Sequence, residues 1–283
     1  MLAETPTGHR REITHFHPPP RSTPVRLTTA GTGTAAPHPR RSSAAHWVEH
    51  GEVRLLMDCG AGALHRLAEF GLAWQRITHL ALTHFHLDHV GEVPAYVFAL
   101  KYATLPPRAE PLTILGPAGT TELLRRLAAA HGDFLTEPGF PLIVREVAPR
   151  NAVELGGGVS VEAHPTPHTP ESLAFRVVTP GGAGRHLVYS GDTGPGDALG
   201  DWARGCDLLL AECSLPEAMA IPTHLTPRSA GALAARAQAK RLVLTHLYPP
   251  VEAVDVLGEV GREYGGPAVI ASDGDTYEIA NGE

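Results

Sequence analysis

The feature that most constrains this chain is the run HFHLDH at residues 84–89, which directly follows an apolar segment. Imidazole and carboxylate groups are ligands that suit zinc, manganese or iron. In an extended or looping segment alternate residues point the same way, so His84 and His86 can bind one ion. Asp88 and His89 can then turn toward a second ion. The run therefore predicts one half of a site for two metal ions.

Other apolar segments also end in residues that can bind a metal. The segment before His84 reads LALT, and the segment before His246 reads LVLT. Asp192 and Glu212 likewise follow apolar segments. Because ligands in α/β proteins gather at the carboxyl ends of strands, these residues are expected to converge. The two oxygens of Asp192 could bridge two cations at the spacing of about 3.5–4 Å that dinuclear sites need.

Short apolar strands alternate with helices along the chain, a pattern that packs as sheets covered by helices. Thr226 is the expected N-cap of one helix, with Pro227 at its first position. Helices are predicted at residues 63–70, 121–130, 227–239 and 252–264. Strands are predicted at residues 25–29, 53–58, 79–83, 112–115, 159–163, 173–178, 186–190, 208–211, 241–245 and 268–271.

Length alone allows one large domain or two small ones after a polar leader. The 283 residues are 43% hydrophobic, enough for a substantial core. Residues 1–24 are polar and rich in Pro, His and Arg, without an apolar segment of secretory type. We expect a flexible leader over 1–24 and a single domain over 25–283. No apolar stretch approaches the roughly 20 residues of a membrane span, so no membrane partner is expected.

The cysteine pattern and the net charge bear on compartment and partners. The three cysteines form no CxxC pair, which favours a reducing, cytoplasmic compartment. Cys59 and Cys213 lie in apolar surroundings and are expected to be buried packing residues. The formal net charge is −7, with 23 basic and 30 acidic residues. Because nucleic-acid affinity depends on Lys and Arg neutralising phosphates, this charge argues mildly against a nucleic-acid partner.

The segment from Thr83 to His89 resembles the HxHxDH signature of the metallo-β-lactamase superfamily, and its surroundings resemble the ribonuclease Z and phosphodiesterase branch. The resemblance implies an α/β fold of the four-layer αβ/βα sandwich type, with two mixed sheets and helices outside. It also implies metals in the groove between the halves, and a homodimer. Supporting segments, in the family's order, are Thr32-Gly33-Thr34, Arg41-Ser42-Ser43, Leu55-Leu56-Met57-Asp58-Cys59-Gly60, Ser190-Gly191-Asp192-Thr193, Leu244-Thr245-His246 and Ser272-Asp273-Gly274.

The resemblance also implies the ligand set of two divalent ions, with Zn²⁺ favoured over Mn²⁺ or Fe. His168 is followed by Ser172 and an aromatic-Arg strand, as in the family's His-x3-Ser segment, and is favoured over His164. Asp58 and Asp273 also follow apolar strands and are expected to accept hydrogen bonds that hold loops or ligand histidines. The first ion is assigned to His84, His86 and His168, the second to Asp88, His89 and His246, with Asp192 between them.

The expected mechanism is metal-dependent hydrolysis. Two cations lower the pKa of water held between them, which supplies a bridging hydroxide as nucleophile. They also neutralise charge that builds on a phosphoryl group. Asp88 is expected to orient the nucleophile as well as to bind a metal. His224 is the candidate proton donor to the leaving group, oriented by Glu212. It precedes a helix whose free N–H groups are expected to favour a phosphate.

The pair of Glu212 and His224 resembles a ribonuclease Z pair, but the match is incomplete. The family's His-Glu-Ala-Thr reads Ala-Glu-Cys-Ser at residues 211–214, so its first histidine is missing. The chain also departs at the long Gly/Pro-rich arm that grips tRNA in bacterial ribonuclease Z. Only nine residues separate Arg176 from His186 at that place, enough for a hairpin turn.

Three substrate classes therefore stay open. A small or cyclic phosphodiester is favoured as the small-molecule substrate, because the arm is missing and the net charge is negative. The first alternative is tRNA 3′ processing of the ribonuclease Z type. The second is hydrolysis of lactones, sulfate esters or β-lactams.

Overall fold

Two seven-stranded sheets form the middle of the computed structural model, which describes residues 24–180 and 185–279. The strands of the first sheet are β1 (Val25–Gly31), β2 (Ala45–His50), β3 (Val53–Met57), β4 (His79–Ala81), β5 (Leu112–Gly116), β6 (Leu142–Glu146) and β14 (Thr276–Ile279). The strands of the second sheet are β7 (Ala152–Gly156), β8 (Val159–Pro165), β9 (Leu173–Thr179), β10 (Arg185–Tyr189), β11 (Leu208–Glu212), β12 (Leu242–Thr245) and β13 (Ala268–Ile270).

Both sheets are mixed, and each contains a run of parallel strands. The first has the order β14-β1-β2-β3-β4-β5-β6, with β3 to β6 parallel. The second has the order β13-β12-β11-β10-β9-β8-β7, with β10 to β13 parallel. Parallel strands end at the same edge of a sheet. The residues that follow β3, β4, β5 and β6 therefore lie side by side along one edge.

Three apolar layers hold the sheets and helices together. One lies between the sheets and includes Met57 and Phe175; a second packs helices on the outer face of the first sheet, and a third does so on the second sheet. The helices are α1 (Ala63–Glu69), α2 (Leu87–Val90), α3 (Val93–Tyr102), α4 (Thr120–His131), α5 (Asp197–Trp202), α6 (Pro227–Arg236) and α7 (Val256–Val260). The order of layers is helix, sheet, sheet, helix, so the predicted αβ/βα sandwich is confirmed.

All ten predicted strands are present, with ends within two residues of the predicted ones. Four more strands, β2, β6, β7 and β14, were not predicted. Strand β2 carries two histidines, a tryptophan and a glutamate, so it lacks the Val, Leu and Ile run that indicates a strand. Helices α2, α3 and α5 were also missed. No side chain caps α3, and its sequence Val-Pro-Ala-Tyr-Val-Phe lacks an amphipathic pattern.

The helix predicted over 252–264 is present only as a much shorter helix. The structure has a 3-10 turn at Pro249–Ala253, then the short α7, whose N-cap Asp255 accepts a hydrogen bond from the Gly258 N–H at 3.0 Å. Gly258 and Gly261 lie inside the predicted range and disfavour a continuous helix. The helix predicted over 227–239 ends at Arg236.

Residues 1–23 of the predicted leader lie outside the described residues. Within the described ranges, none of the helices is both long and apolar enough to span a bilayer.

Candidate metal centre

Four predicted ligands converge where the first metal ion is expected. The Nδ1 atom of His86 lies 3.0 Å from Nε2 of His84 and 3.1 Å from Nε2 of His168. Oδ2 of Asp192 lies 3.7 Å from Nε2 of His84 and 3.6 Å from Nε2 of His168. These four side chains could hold one metal ion.

Three further residues converge beside them. Nε2 of His246 lies 3.2 Å from Nε2 of His89 and 3.3 Å from Oδ2 of Asp88. The second oxygen of Asp192, Oδ1, lies 3.3 Å from Nε2 of His89 and 3.4 Å from Nε2 of His246. Asp88, His89 and His246 could hold a second ion. One oxygen of Asp192 therefore faces each group.

The donor set fits divalent metals. Four ligands at the usual zinc distances of about 2.0–2.1 Å would be separated by roughly 3.3–3.4 Å in a tetrahedron. The separations above, from 3.0 to 3.7 Å, bracket that value. Oδ1 of Asp192 is buried and has no hydrogen-bond partner among the described residues. A buried carboxylate oxygen is costly without a partner, and a cation would supply one.

Neighbouring groups orient the histidines so that one nitrogen of each faces the centre. Nδ1 of His89 lies 2.7 Å from Oδ2 of Asp58, and Nδ1 of His168 lies 3.0 Å from the Thr223 carbonyl oxygen. Because both partners can only accept, the Nδ1 atoms carry hydrogens and Nε2 is the nitrogen left to bind a metal. Nδ1 of His246 similarly contacts Oγ of Ser214 at 2.9 Å.

The local backbone explains how adjacent residues serve two positions. His84 and His86 lie in the loop after β4, and His86 has extended backbone angles. Asp88 and His89 instead lie in α2, where consecutive side chains diverge by about 100° around the helix axis. The prediction of an extended or looping run is thus right for the first two residues and wrong for the last two. His246 has a left-handed φ of 55°, uncommon for a residue with a side chain.

A close loop contact fixes the position of α2. The N–H of Cys59 donates to the carbonyl oxygen of His89 at 2.7 Å. A Cβ atom at Gly60 would lie 2.0 Å from the carbonyl oxygen of Asp88, so only glycine fits there. The loop that carries Asp58 therefore supports the metal-facing helix directly.

The pKa values of His84, Asp88 and Asp192 favour metal-binding protonation states. Burial lowers the pKa of His89, but the carboxylates of Asp192 and Asp58 outweigh it and raise that pKa well above its usual value, so a metal ion would displace a proton from this ring. Burial, together with the nearby His89, lowers the pKa of His84 to about 2, so its ring stays neutral. Burial raises the pKa of Asp88, but the His246 hydrogen bond and the charge of His89 outweigh it and hold the pKa below its usual range. Burial of Asp192 is likewise outweighed by His246 and His89, and its pKa lies well below its usual range.

His224 and Glu212 form a pair at the edge of the centre. Nδ1 of His224 lies 3.0 and 3.1 Å from the two oxygens of Glu212, which is fully buried. Burial lowers the pKa of His224. The hydrogen bond and the charge of Glu212 raise that pKa by more, so the net shift is upward. His224 could also form a metal group with Asp192 and His246. The structure thus brings the predicted proton donor to the metal centre.

The predicted phosphate site at the helix after His224 is wrong. Pro227 has no N–H, the Arg228 N–H donates to Oε1 of Glu217 at 2.9 Å, and the Ser229 N–H donates to Oγ1 of Thr226 at 3.4 Å. A carboxylate and a capping box therefore satisfy the N–H groups that would bind a phosphate. This arrangement was not predictable locally, because Glu217 lies in a separate 3-10 turn.

Asp58 and Asp273 accept hydrogen bonds, as predicted. Asp58 accepts from the Thr83 N–H at 2.8 Å, from its hydroxyl at 2.9 Å, and from the Tyr189 hydroxyl at 2.8 Å, besides His89. Asp273 accepts from the backbone N–H groups of Thr32 and Ser42 and joins two loops. Only Asp58 contacts a predicted ligand.

The sequence did not predict two residues near the centre, Ser214 and Tyr248. The alternative ligand His164 lies outside the centre. The hydroxyl of Ser214 donates to Glu212 at 2.5 Å and also contacts His246; its place two residues after Glu212 was the available signal. The ring of Tyr248 lies 6.1 Å from the ring of His246. His164 instead lies against the ring of Trp202, 5.1 Å between centroids, and is in none of the metal groups.

Comparison with known proteins agrees with this fold. Residues 53–247 match the family model of the beta-lactamase superfamily domain. The ribonuclease Z of Halorubrum lacusprofundi is 30% identical over 308 residues, covering 90% of this chain and 97% of that protein. The ribonuclease Z of Mycobacterium avium is 32% identical over 252 residues, covering 81% and 88%.

Solved structures show the same architecture. The human tRNase Z short form superposes with a TM-score of 0.73 at 26% identity, covering 90% of this chain and 99% of that chain. The metallo-beta-lactamase fold protein YhfI from Bacillus subtilis gives a TM-score of 0.76 at 23% identity, covering 90% and 99%, a likeness of fold. The chain belongs to the metallo-β-lactamase superfamily, in its ribonuclease Z-like branch. It is a metal-dependent hydrolase that uses divalent ions.

Proposed function

We propose that this hydrolase is a phosphodiesterase that uses two divalent ions, with zinc favoured, on a small or cyclic phosphodiester. The observation that carries the proposal is the position of the Asp192 carboxylate. Its two oxygens face two adjacent groups of nitrogen and oxygen donors. A carboxylate placed in this way suits two ions at the spacing used in phosphoester hydrolysis. The ligands would be His84, His86 and His168 for one ion, Asp88, His89 and His246 for the other, and Asp192 for both.

The mechanism follows from the protein groups around that centre. When bound, two divalent ions lower the pKa of a water molecule at the site and neutralise phosphoryl oxygens. Asp88 lies beside His246 and can orient the attacking water through its carboxylate. His224 donates its Nδ1 hydrogen to Glu212, so its Nε2 hydrogen is available for the leaving oxygen. The raised pKa of His224 keeps the ring protonated more of the time near neutral pH, as a general acid requires.

A small substrate is favoured by the short β9–β10 connection. Strand β9 ends at Thr179 and β10 begins at Arg185, which leaves room for a turn and not for a tRNA-gripping arm. The ribonuclease Z of Halorubrum lacusprofundi is matched over 308 residues, more than the 283 of this chain, so it contains segments that this chain lacks. The net charge of −7 is also unfavourable for a long polyanion.

The alternative function is tRNA 3′ processing of the ribonuclease Z type. It is favoured by one specific observation, which is that the curated relatives carry that name at 30–32% identity over most of their length. The two functions share the metal centre and differ in what lies around it. A comparison of substrates therefore separates them.

The deciding experiment compares substrates and metal content on the same preparation. Purified protein is expected to hydrolyse bis(p-nitrophenyl) phosphate in a metal-dependent way and to process precursor tRNA poorly at physiological salt. The Asp192→Ala variant is expected to lose bound metal and activity together. Asp197→Ala is the matched control, since the Asp197 side chain is 79% exposed and not in the centre. Efficient precursor tRNA cleavage would favour the alternative, and activity only on lactones or β-lactams would reject both.

Three further predictions belong to this proposal. Residues 25–283 are expected to act as a single hydrolase domain, which limited proteolysis can test. A homodimer is expected, which light scattering can test. A cytoplasmic location is expected, which cell fractionation can test.

A further inference from the structure

A cavity of about 350 Å³ lies next to the metal centre and takes no part in the mechanism above. Three loops form its walls. Pro117 and Ala118 come from the turn after β5, residues 146–149 follow β6, and residues 170–173 lead into β9. We name it the proline cavity, because Pro117, Pro149, Pro165 and Pro170 line it.

The sheet topology places the proline cavity beside the metal centre. Strands β4, β5 and β6 are parallel neighbours, so their carboxyl ends follow one another along one edge. His84 and His86 follow β4, and the cavity lies at the ends of β5 and β6. Because adjacent strands are about 4.8 Å apart, the two sites are separated by only one or two strand spacings.

Two direct contacts join the cavity walls to the metal-binding loops. The N–H of Leu173, a lining residue, donates to the carbonyl oxygen of Thr83 at 3.0 Å, immediately before His84. Phe85 stands against the turn after β5, since a Cβ at Gly119 would lie 3.3 Å from its ring. The segment that carries His168 also continues into the cavity wall at Pro170. A substrate held at the metals would therefore have the cavity within reach of its substituent.

The chemistry of the walls limits what can enter. Prolines, alanines, Val147 and Leu173 make the lining mostly apolar. The charged side chains among the lining residues are Glu146 and Glu171, and no Lys or Arg belongs to the lining. Glu146 is held in place by the Thr121 N–H, which donates to it at 3.0 Å. Two carboxylates without a cation disfavour an anionic occupant, since like charges repel in a cleft.

We propose that the proline cavity binds an uncharged, apolar or aromatic substituent of the phosphodiester. This inference rests on the proposed phosphodiesterase function and narrows its substrate class. A volume of about 350 Å³ is at the small end of the range for ligand pockets and suits one aromatic ring system. A second phosphate would meet the carboxylates. The cavity thus selects substrates with one phosphodiester and an apolar group, against polyanions.

The test fills the cavity without disturbing the core. Ala118 and Ala148 are exposed lining residues, so Ala118→Trp and Ala148→Trp can occupy the space without repacking. Both variants are expected to raise KM for bis(p-nitrophenyl) phosphate about tenfold, the size of effect that pocket contacts of this kind produce. They are expected to leave methyl p-nitrophenyl phosphate, with its small substituent, within about twofold of wild type. Ala109→Trp, an equally exposed position at a different pocket, is the control.

A charge exchange tests the second half of the inference. Glu171→Lys is expected to improve turnover of a dinucleotide that carries an additional terminal phosphate, relative to the same dinucleotide without it. Unchanged KM values in both tryptophan variants, or no effect of the charge exchange, would overturn the cavity assignment. That result leaves the proposed function intact if wild type still cleaves both nitrophenyl esters. Absence of cleavage of either ester by metal-loaded wild type would overturn the proposed function itself.

Discussion

The Nδ1–H of His89 donates to Oδ2 of Asp58 across 2.7 Å, and both side chains are fully buried. The same carboxylate accepts hydrogen bonds from Thr83 and Tyr189. Asp58 itself has a left-handed φ of 60°, so its position is held at the cost of backbone strain. These contacts orient one metal-facing imidazole from behind and fix which nitrogen faces the centre.

The Asp58→Asn substitution should therefore weaken metal binding although Asp58 is not a proposed ligand. An amide in place of the carboxylate loses the charge that favours the Nδ1–H tautomer of His89. Such outer partners contribute about 10–100-fold to metal affinity, and we expect a loss within that range. Competition with a chromogenic chelator measures it.

Asp273→Asn is the matched control for this prediction. Asp273 is also largely buried and accepts hydrogen bonds, but from Thr32 and Ser42 in the loop after β1. This variant should lower the free energy of unfolding and keep the metal affinity of wild type. Equal metal affinity in both variants would contradict the assigned role of Asp58.

Replacement of His224 should slow substrates according to their leaving group. General acid catalysis contributes about 10²–10⁴-fold, so His224→Ala should slow alkyl phosphodiesters by a factor in that range. Nitrophenolate is a stable anion and leaves without a proton, so the nitrophenyl esters should be slowed far less. Steady-state kinetics on both classes measure the difference.

His164→Ala serves as the control, because His164 lies in β8 and packs on Trp202 outside the centre. Metal content should equal that of wild type in both variants. A uniform loss across all leaving groups in His224→Ala would indicate a role in metal binding, which the metal group of Asp192, His224 and His246 also allows.

The loss of folding stability at acid pH should depend in part on His46, a buried histidine near the metal centre. Burial, and then the charges of His89 and His246, lower the pKa of His46 to about 3, and neither of its ring nitrogens has a hydrogen-bond partner among the described residues. The unfolded chain binds a proton near pH 6.5, so this contribution to stability is complete above that pH. It is lost as the pH falls from 6.5 toward 3, by up to about 1.4 kcal/mol per pH unit.

His46→Leu should remove this contribution without leaving a lost hydrogen bond. Urea unfolding between pH 7.5 and 5 should show a flatter loss of unfolding free energy in the variant than in wild type. His65→Leu, at an exposed position on α1, should follow the wild-type slope. Parallel slopes for His46→Leu and wild type would show that His46 does not titrate on unfolding.

The sequence predicted the parts of the site that follow a single strand. His84, Asp192, Glu212 and His246 each come after an apolar strand, and the topology of parallel strands brings such positions to one edge. The choice of His168 over His164 also agrees with the geometry. These positions depend on local pattern and on strand direction, both of which are visible in the residues.

Features that depend on distant contacts were not predictable. Ser214 acts on His246, which lies 32 residues later, and Asp58 accepts from Tyr189, 131 residues later. The N-terminus of α6 is filled by Glu217, whose 3-10 turn has no strong sequence signal. The proline cavity joins three loops, and β6, which carries one of them, was itself missed. Such contacts are set by packing between segments that are separate in the sequence.

Metal removal should destabilise the fold, because the centre joins both halves of the molecule. Asp88 and His89 come from the first half and Asp192 and His246 from the second. Nε2 of His89 lies 3.3 Å from Oδ1 of Asp192, and Nε2 of His246 lies 3.3 Å from Oδ2 of Asp88. Without cations, the buried Asp192 oxygen, which has no hydrogen-bond partner among the described residues, loses the partner that a cation would supply. A ligand present at about 1,000 times its dissociation constant stabilises a fold by roughly 4 kcal/mol, and we expect chelation to cost an amount of that order. Thermal unfolding with and without chelator measures it, and Asp192→Ala, which lacks the shared ligand, should respond far less. A Tm that chelation leaves unchanged in wild type would mean that the two halves are not joined through metal.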